Sequence, residues 1–330
     1  MAVVMNVAKS TLHRRIKEGA IRPHSNSLKP YLSMENKKAR LQFCLSILEP
    51  NSLNNNPIFK SMFNYVHVDE KWFYMSKESK KYYLLPREQE PLHARKSKRF
   101  ITNVVVLDAV AQPRFDSSGN QEFNGKIGIF PFTYKEPAKR TSKNRVAGTV
   151  ETKLVSSLTK DVIRSCLIEE IIKVFLAIRA KYPHDMKDVI FIQQDNAKPH
   201  IDPNDPEFLE VASSDGFNIN ISCQLPNSPD MNVLYLGFFR AIQSLQHLET
   251  PSKVDDFVNA IEKAFHDLPS QSLNHVFLTL QQCMIEVIKY FGGNNYKLPH
   301  MVKEKLEKYG PLPLQLGCDR DIVEKAILHL

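Results

Sequence analysis

The chain has 330 residues, enough for a core and an accessory module. Its 44 Lys and Arg against 36 Asp and Glu leave a net charge of +8, which suits a polyanionic partner and also fits an ordinary soluble protein. No apolar run approaches the roughly 20 residues of a membrane span, the N-terminus lacks an apolar signal core, and Cys44, Cys166, Cys223, Cys283 and Cys318 form no CxxC pair, which argues against a membrane protein, a secreted disulfide scaffold and a zinc ribbon.

In chain order, Val7 to Gly19 reads as a short helix, with Ser10 as its N-cap and Gly19 as its stop. Leu12 and Ile16 share one face and His13, Arg14, Arg15 and Lys17 the other, the pattern of a recognition helix offered to a major groove and equally that of a solvated basic helix. A second helix is expected over Ser33 to Leu48, where Ala39, Phe43 and Ile47 recur every four residues. From Met1 to Leu48 nine basic residues face two acidic ones, so positive charge gathers at the N-terminus. Glu49 to Pro57, with its run of asparagines, reads as a linker.

Three strand-like segments follow, Tyr65 to Met75, Lys81 to Leu85 and Ile101 to Val110, suggesting an antiparallel start to a sheet. Residues 113–150 show no clear period and read as a long loop or insertion. Leu158 to Tyr182 is a strong helix candidate, Val189 to Gln193 and Ile219 to Cys223 are short buried strands, and helices dominate from Leu236 onward. The alternation is that of a mixed α/β fold. Basic stretches at His93 to Arg99 and Lys135 to Arg145 read as solvated loops that could also follow DNA or act as an import signal, Trp72 reads as core, and Gly292 to Asn295 reads as a turn with no preceding strand to make it a phosphate cradle.

Two carboxylates stand out by position. Asp69 lies in an alternating strand and Asp195 just past the end of an apolar one, and ligands at the ends of neighbouring strands can converge on a divalent metal. Either aspartate alone would be an ordinary turn or cap residue; the surrounding words make them specific. Val66-His67-Val68-Asp69-Glu70-Lys71-Trp72-Phe73, Gln193-Gln194-Asp195-Asn196-Ala197-Lys198-Pro199-His200 and Pro226-Asn227-Ser228-Pro229-Asp230-Met231-Asn232-Val233-Leu234 closely resemble, in order and spacing, the three core motifs of plant mariner-like transposases of the Tc1/mariner superfamily. The resemblance extends to Ser10 to Arg15 upstream and Leu278 to Met284 downstream.

That resemblance implies a ribonuclease-H-like mixed sheet flanked by helices, with an N-terminal helix-turn-helix remnant and a helical C-terminal extension. The expected division is 1–56 for the remnant and linker, 57–250 for the core and 251–330 for the extension. It further implies a nuclear protein that uses Mg²⁺ or Mn²⁺ to cleave and transfer DNA strands at transposon terminal inverted repeats, with a homodimer as a family expectation and neither a membrane nor a small-molecule substrate as partner. Three aspartates hold the metal in the family. The first two fall on Asp69 and Asp195; the third falls on Tyr235, with 39 residues between it and Asp195.

A tyrosine is neutral at physiological pH and a poor ligand for Mg²⁺, so impaired cleavage is expected. One alternative is a non-catalytic, host-retained DNA-binding or interaction protein. Another is an active nuclease or transposase with a substitute carboxylate, Asp230, which is separated from Asp195 by 34 residues but belongs to a separate motif position. A cellular nuclease acting on RNA–DNA hybrids is disfavoured by the flanking words. Lys9, Arg14, Arg15, Lys17 and Arg22 are the expected phosphate contacts, joined by Lys198 and His200 beside the second motif. Only the last helix of a two-unit reader is expected here, so DNA binding should be weak and salt-sensitive.

Overall fold

A computed structural model describes residues 8–20, 29–75, 101–143, 145–155, 189–195, 204–213, 218–249, 253–299 and 301–330, with single positions or pairs and triplets at 173–174, 176–178, 180–181, 202 and 251. The chain divides into two compact units, Met1–Tyr31 and Leu32–Leu330.

In the first unit, α1 (Lys9–Lys17) forms as expected, but its N-cap is Ala8 and Ser10 lies inside the first turn without capping it. Gly19, at φ +75°, ends the helix in a conformation that favours glycine. Arg14, Arg15 and Lys17 are exposed, Arg15 pairing with Glu18 at 3.1 Å. Arg22 lies outside the described residues, as does the side chain of Lys9.

The second unit is built on a five-stranded sheet, β1 (Tyr65–Tyr74), β2 (Asn103–Ala111), β5 (Lys126–Pro131), β8 (Ile190–Gln194) and β9 (Ile219–Cys223), in the order β5-β2-β1-β8-β9. β5, β2 and β1 pair antiparallel, and β1, β8 and β9 parallel. Residues 113–150, expected to be a loop, instead carry the small hairpin β3 (Arg114–Phe115) and β4 (Gln121–Phe123), the edge strand β5, and β6 (Thr133–Pro137), which pairs with β7 (Val150–Leu154). The glycine and proline in Lys126-Ile127-Gly128-Ile129-Phe130-Pro131 disguise a strand that an edge position tolerates. The expected strand over 81–85 lies outside the described residues, as does most of the expected helix over 158–182, whose described positions between 173 and 181 are helical.

Side-chain alternation along the strands gives each sheet face its own core. Val66, Val68, Val105, Leu107, Ala109, Ile190 and Ile192 turn to one side and pack with Val174, Ile178, Phe208 and Ala212, the last two from α3 (Pro206–Ser213). Phe73, Val104, Val106 and Val110 turn to the other, beneath α2 (Met34–Ser46), α4 (Phe239–Gln246), α5 (Val254–Asp267), α6 (Ser270–Lys289) and α8 (Arg320–His329). α7 (Lys303–Leu306) is a single exposed turn.

Helix α2 is capped by Ser33, whose Oγ accepts from the Asn36 N–H at 3.2 Å, and it buries Arg40, Leu41 and Cys44 within this core. The helix is therefore part of the core of the sheet unit. Residues 49–57, expected as a linker, are pinned: Glu49 N–H reaches Ile58 O at 2.9 Å, Lys60 N–H reaches Ile47 O at 2.8 Å, and Phe59 is fully buried. Trp72, expected in the core, is 41% exposed, because pairing of β1 with β8 ends at His67 and leaves only β2 alongside. The described cysteines are free, and no described helix is long and apolar enough to cross a membrane.

Candidate metal centre

The strand registers align the site. β1 and β8 run in step through His67 opposite Gln193, and Asp69 and Asp195 each follow two residues past that last pair and line the same cleft. Because Val66, Val68 and Ile192 point to one core, residues 67, 69 and 193 belong to the opposite face. The β8–β9 pairing ends at Gln194 opposite Cys223, with Gln224 next in line. Asp69, Asp195, Gln224, Ser228, Asn232 and Tyr235 all line one cleft. The structure thus brings together Asp69, Asp195 and Tyr235; Lys198 and His200 lie outside the described residues.

Asp69 is held from two sides. Its Oδ1 accepts the Glu70 N–H at 2.7 Å and its Oδ2 accepts Asn232 Nδ2 at 2.6 Å. Asn232, itself buried, also donates to Gln224 Oε1 at 3.1 Å and accepts the Leu234 N–H at 2.9 Å, so one amide links the first carboxylate, the residue following β9 and the turn that carries Tyr235. Burial, followed by the negative neighbours Glu70 and Asp195, pushes the Asp69 carboxyl up to about 7, against the downward pull of its two hydrogen bonds. Glu70 pairs with Leu107, which joins the opposite core, in keeping with adjacent residues facing opposite ways.

Tyr235 opens the wide helical turn Leu234–Phe238 that leads into α4 and stands edge-on to Phe239 at 5.3 Å. It is 53% exposed. Burial of its hydroxyl and then the charges of Asp69, Asp195 and Glu70 push its pKa up to about 12, so the phenol stays protonated and neutral beside the carboxylates.

Asp230, the possible substitute, is committed elsewhere. The guanidinium of Arg40, wholly buried on α2, grips both its oxygens at 2.8 and 2.7 Å, and Tyr296 donates its hydroxyl to Oδ2 at 2.5 Å. Burial would raise this carboxyl, but the hydrogen bond and charge of Arg40, with help from Tyr296, outweigh it and hold the group below the usual carboxylate range. Asp230 does not line the cleft. Its motif position is a structural anchor: Asp230 ties the short turn Pro229–Met231 to α2, and Asn232 begins two residues later.

One residue on the site's face escaped sequence reading. Asp108 on β2 sits directly opposite Asp69 in the antiparallel register, is fully buried, and finds no hydrogen-bond partner for either oxygen among the described residues. Burial and then Asp69 raise its carboxyl well above the usual range. The signal was there, a charge inside Val104-Val105-Val106-Leu107-Asp108-Ala109-Val110, but a β-branched run reads as strand whatever single residue interrupts it.

The donor set of the cleft is oxygen-rich, two carboxylates with side-chain amides and no described thiol or imidazole, and so suits a hard divalent ion such as Mg²⁺ or Mn²⁺. Asp69 and Asp195 are the residues that would hold it. Among the described residues no three His, Cys, Asp or Glu side chains meet at one point.

A mixed sheet of this order, flanked by helices and with carboxylates at the centre of one face, is the ribonuclease-H-like catalytic architecture. Solved structures share it. The chain superposes on a Mos1 mariner paired-end complex with Mg (16% identity, 89% of this chain and 74% of that one, TM-score 0.56), on a pre-cleavage Mos1 transpososome (14% identity, 89% and 74%, TM-score 0.56) and on a Mos1 paired-end complex with the left transposon end (13% identity, 89% and 74%, TM-score 0.54). At these identities the likeness is one of fold. No protein-family profile and no curated protein sequence matches the chain.

Proposed function

We propose that the chain is a mariner-like transposase-derived protein of the Tc1/mariner superfamily that binds DNA but cleaves and transfers strands poorly. The observation that carries this is Tyr235, a neutral phenol on the cleft where the three motif words lead one to expect a third carboxylate. Support also comes from the fold shared with mariner transposase–DNA complexes and from the shared cleft of Asp69 and Asp195.

Bound at this cleft, a divalent cation would activate water and stabilise the leaving oxygen of a phosphodiester. The chain's own residues prepare for it. Asn232 fixes the direction of Asp69, and Asp195 adds the second charge. A third anionic ligand offsets the mutual repulsion of two cations about 4 Å apart; Tyr235 contributes no charge to that balance. The basic face of α1, with Arg14, Arg15 and Lys17, supplies phosphate contacts of little sequence preference, joined by Lys9 and Arg22. Terminal inverted repeats, a nuclear site of action, a homodimeric state and the division of labour among residues 1–56, 57–250 and 251–330 are parts of the same proposal.

Calorimetric titration of Mn²⁺ into the wild type, Tyr235→Asp and Asp195→Ala tests the reading. We expect weak binding by the wild type, a gain in Tyr235→Asp and loss in Asp195→Ala. Wild-type binding as tight as that of Tyr235→Asp, abolished in Asp195→Ala, would restore the reading of an active enzyme.

A further inference from the structure

We propose that Asp108 is an additional carboxylate of the metal centre, standing behind Asp69 on the neighbouring strand and raising the affinity of the cleft for a divalent cation. The inference rests on the metal-centre reading above and adds a residue to it.

The registers carry it first. Asp108 pairs with Asp69 on the same face of the sheet, and Asp69 shares its cleft with Asp195. Directly opposed residues of an antiparallel pair have Cβ atoms about 5 Å apart, and like charges placed there repel. The pair ends in apolar company: the partner of Asp108 on β5 is Ile129, and its neighbours along the same face of β2 are Val106 and Val110. Nothing in the strand pairing calls for a charge at this position other than what lies beyond Asp69.

Burial carries it independently. Asp108 is fully buried with both oxygens lacking a hydrogen-bond partner among the described residues, and no described basic side chain pairs with it. A buried carboxyl without partners is costly, and such groups persist where an ion or a function accounts for them. Its position opposite the first carboxylate of the cleft supplies that account. Because three carboxylates do not already meet at one point, Asp108 acts across Asp69 and not as a direct ligand, in the way that groups outside the coordination sphere tune a metal's affinity. Mg²⁺ and Mn²⁺ retain water when held by few carboxylates, which leaves room for a carboxyl at this remove. Asp108 is in this sense a positioning residue.

The test is calorimetric titration of Mn²⁺ into Asp108→Asn and Asp108→Ala beside wild type and Asp195→Ala, together with the thermal midpoint of each metal-free protein. We expect both Asp108 variants to lose about tenfold or more in Mn²⁺ affinity, while the metal-free midpoint of Asp108→Ala is unchanged or higher, since an unpartnered buried carboxyl is gone. Unchanged affinity in both Asp108 variants, with loss in Asp195→Ala, overturns this inference and leaves the metal centre standing. A fall in midpoint together with the fall in affinity in both variants marks a structural residue and also overturns it. Equal behaviour of wild type and Asp195→Ala removes the metal centre itself, and this inference with it.

Discussion

Asp69 carries an unusual burden for a strand residue: a carboxylate pressed between the cleft and Asp108, with two donors fixing its oxygens. Its folded-state pKa of about 7 lies above the ordinary 3.8, so the folded chain holds this proton more tightly than the unfolded one. The stability it contributes is full below about pH 4 and is lost as pH rises through about 7. The thermal midpoint of the wild type should accordingly fall across that window relative to Asp69→Asn; parallel midpoint curves would refute the assignment. Metal binding needs the ionised form, so Mn²⁺ affinity should rise over the same window and level off above it, as calorimetry at stepped pH would read. Asn232 is the second residue with several duties. Asn232→Ala removes its bond to Asp69, its bridge to Gln224 and its hold on the Leu234 N–H, and should cost about 1–3 kcal/mol in denaturant unfolding. At this scale the sequence revealed Asp69, Asp195 and Tyr235 because motif words surround them. Asn232 sat inside one of those words without a visible partner, since the carboxylate it orients lies 163 residues earlier.

Among the elements, α2 joins the third motif to the core through one ion pair. Arg40 spans from α2 to Asp230 and also donates its Nε–H to Gly292 O at 2.9 Å, closing the turn after α6 against α2. Gly292 allows that approach: at φ +84°, with Lys37 O where a side chain would begin, no larger residue fits. Removing one partner of a buried pair leaves the other charged and unpaired, so Arg40→Met should destabilise the fold by about 3–5 kcal/mol, whereas Arg40→Met with Asp230→Asn should recover much of the loss. Equal denaturant midpoints for the two would show that Arg40 contributes through packing and not through its charge. The pair was illegible in the sequence because Arg40 and Asp230 lie 190 residues apart and Arg40 reads as one more exposed basic residue of a helix. The strands β1, β2, β8 and β9 were legible from their β-branched and apolar runs. β5 was not, since its glycine and proline argue against a strand until the sheet order places it at an edge.

For the molecule as a whole, an expected DNA partner rests on a basic N-terminal helix and on the fold of the sheet unit. Counterion release makes phosphate-based binding steeply dependent on salt, with a slope near −0.9 for each contact on duplex DNA. Replacing Arg14, Arg15 and Lys17 together by Ala should weaken binding to unrelated duplexes alike and flatten the salt slope by up to about 3; a fluorescence anisotropy series that kept its slope would remove α1 from the interface. Charge and fold do not themselves say whether the cleft still works, and that question turns on the charge balance of the residues lining it. The most direct measurement is the nicking of supercoiled plasmid with Mg²⁺ and with Mn²⁺ by the wild type and by Tyr235→Asp. The neutral phenol of Tyr235 on the cleft predicts little or no cleavage by the wild type and a clear gain in Tyr235→Asp. Robust metal-dependent cleavage by the wild type, no greater in Tyr235→Asp, would contradict it.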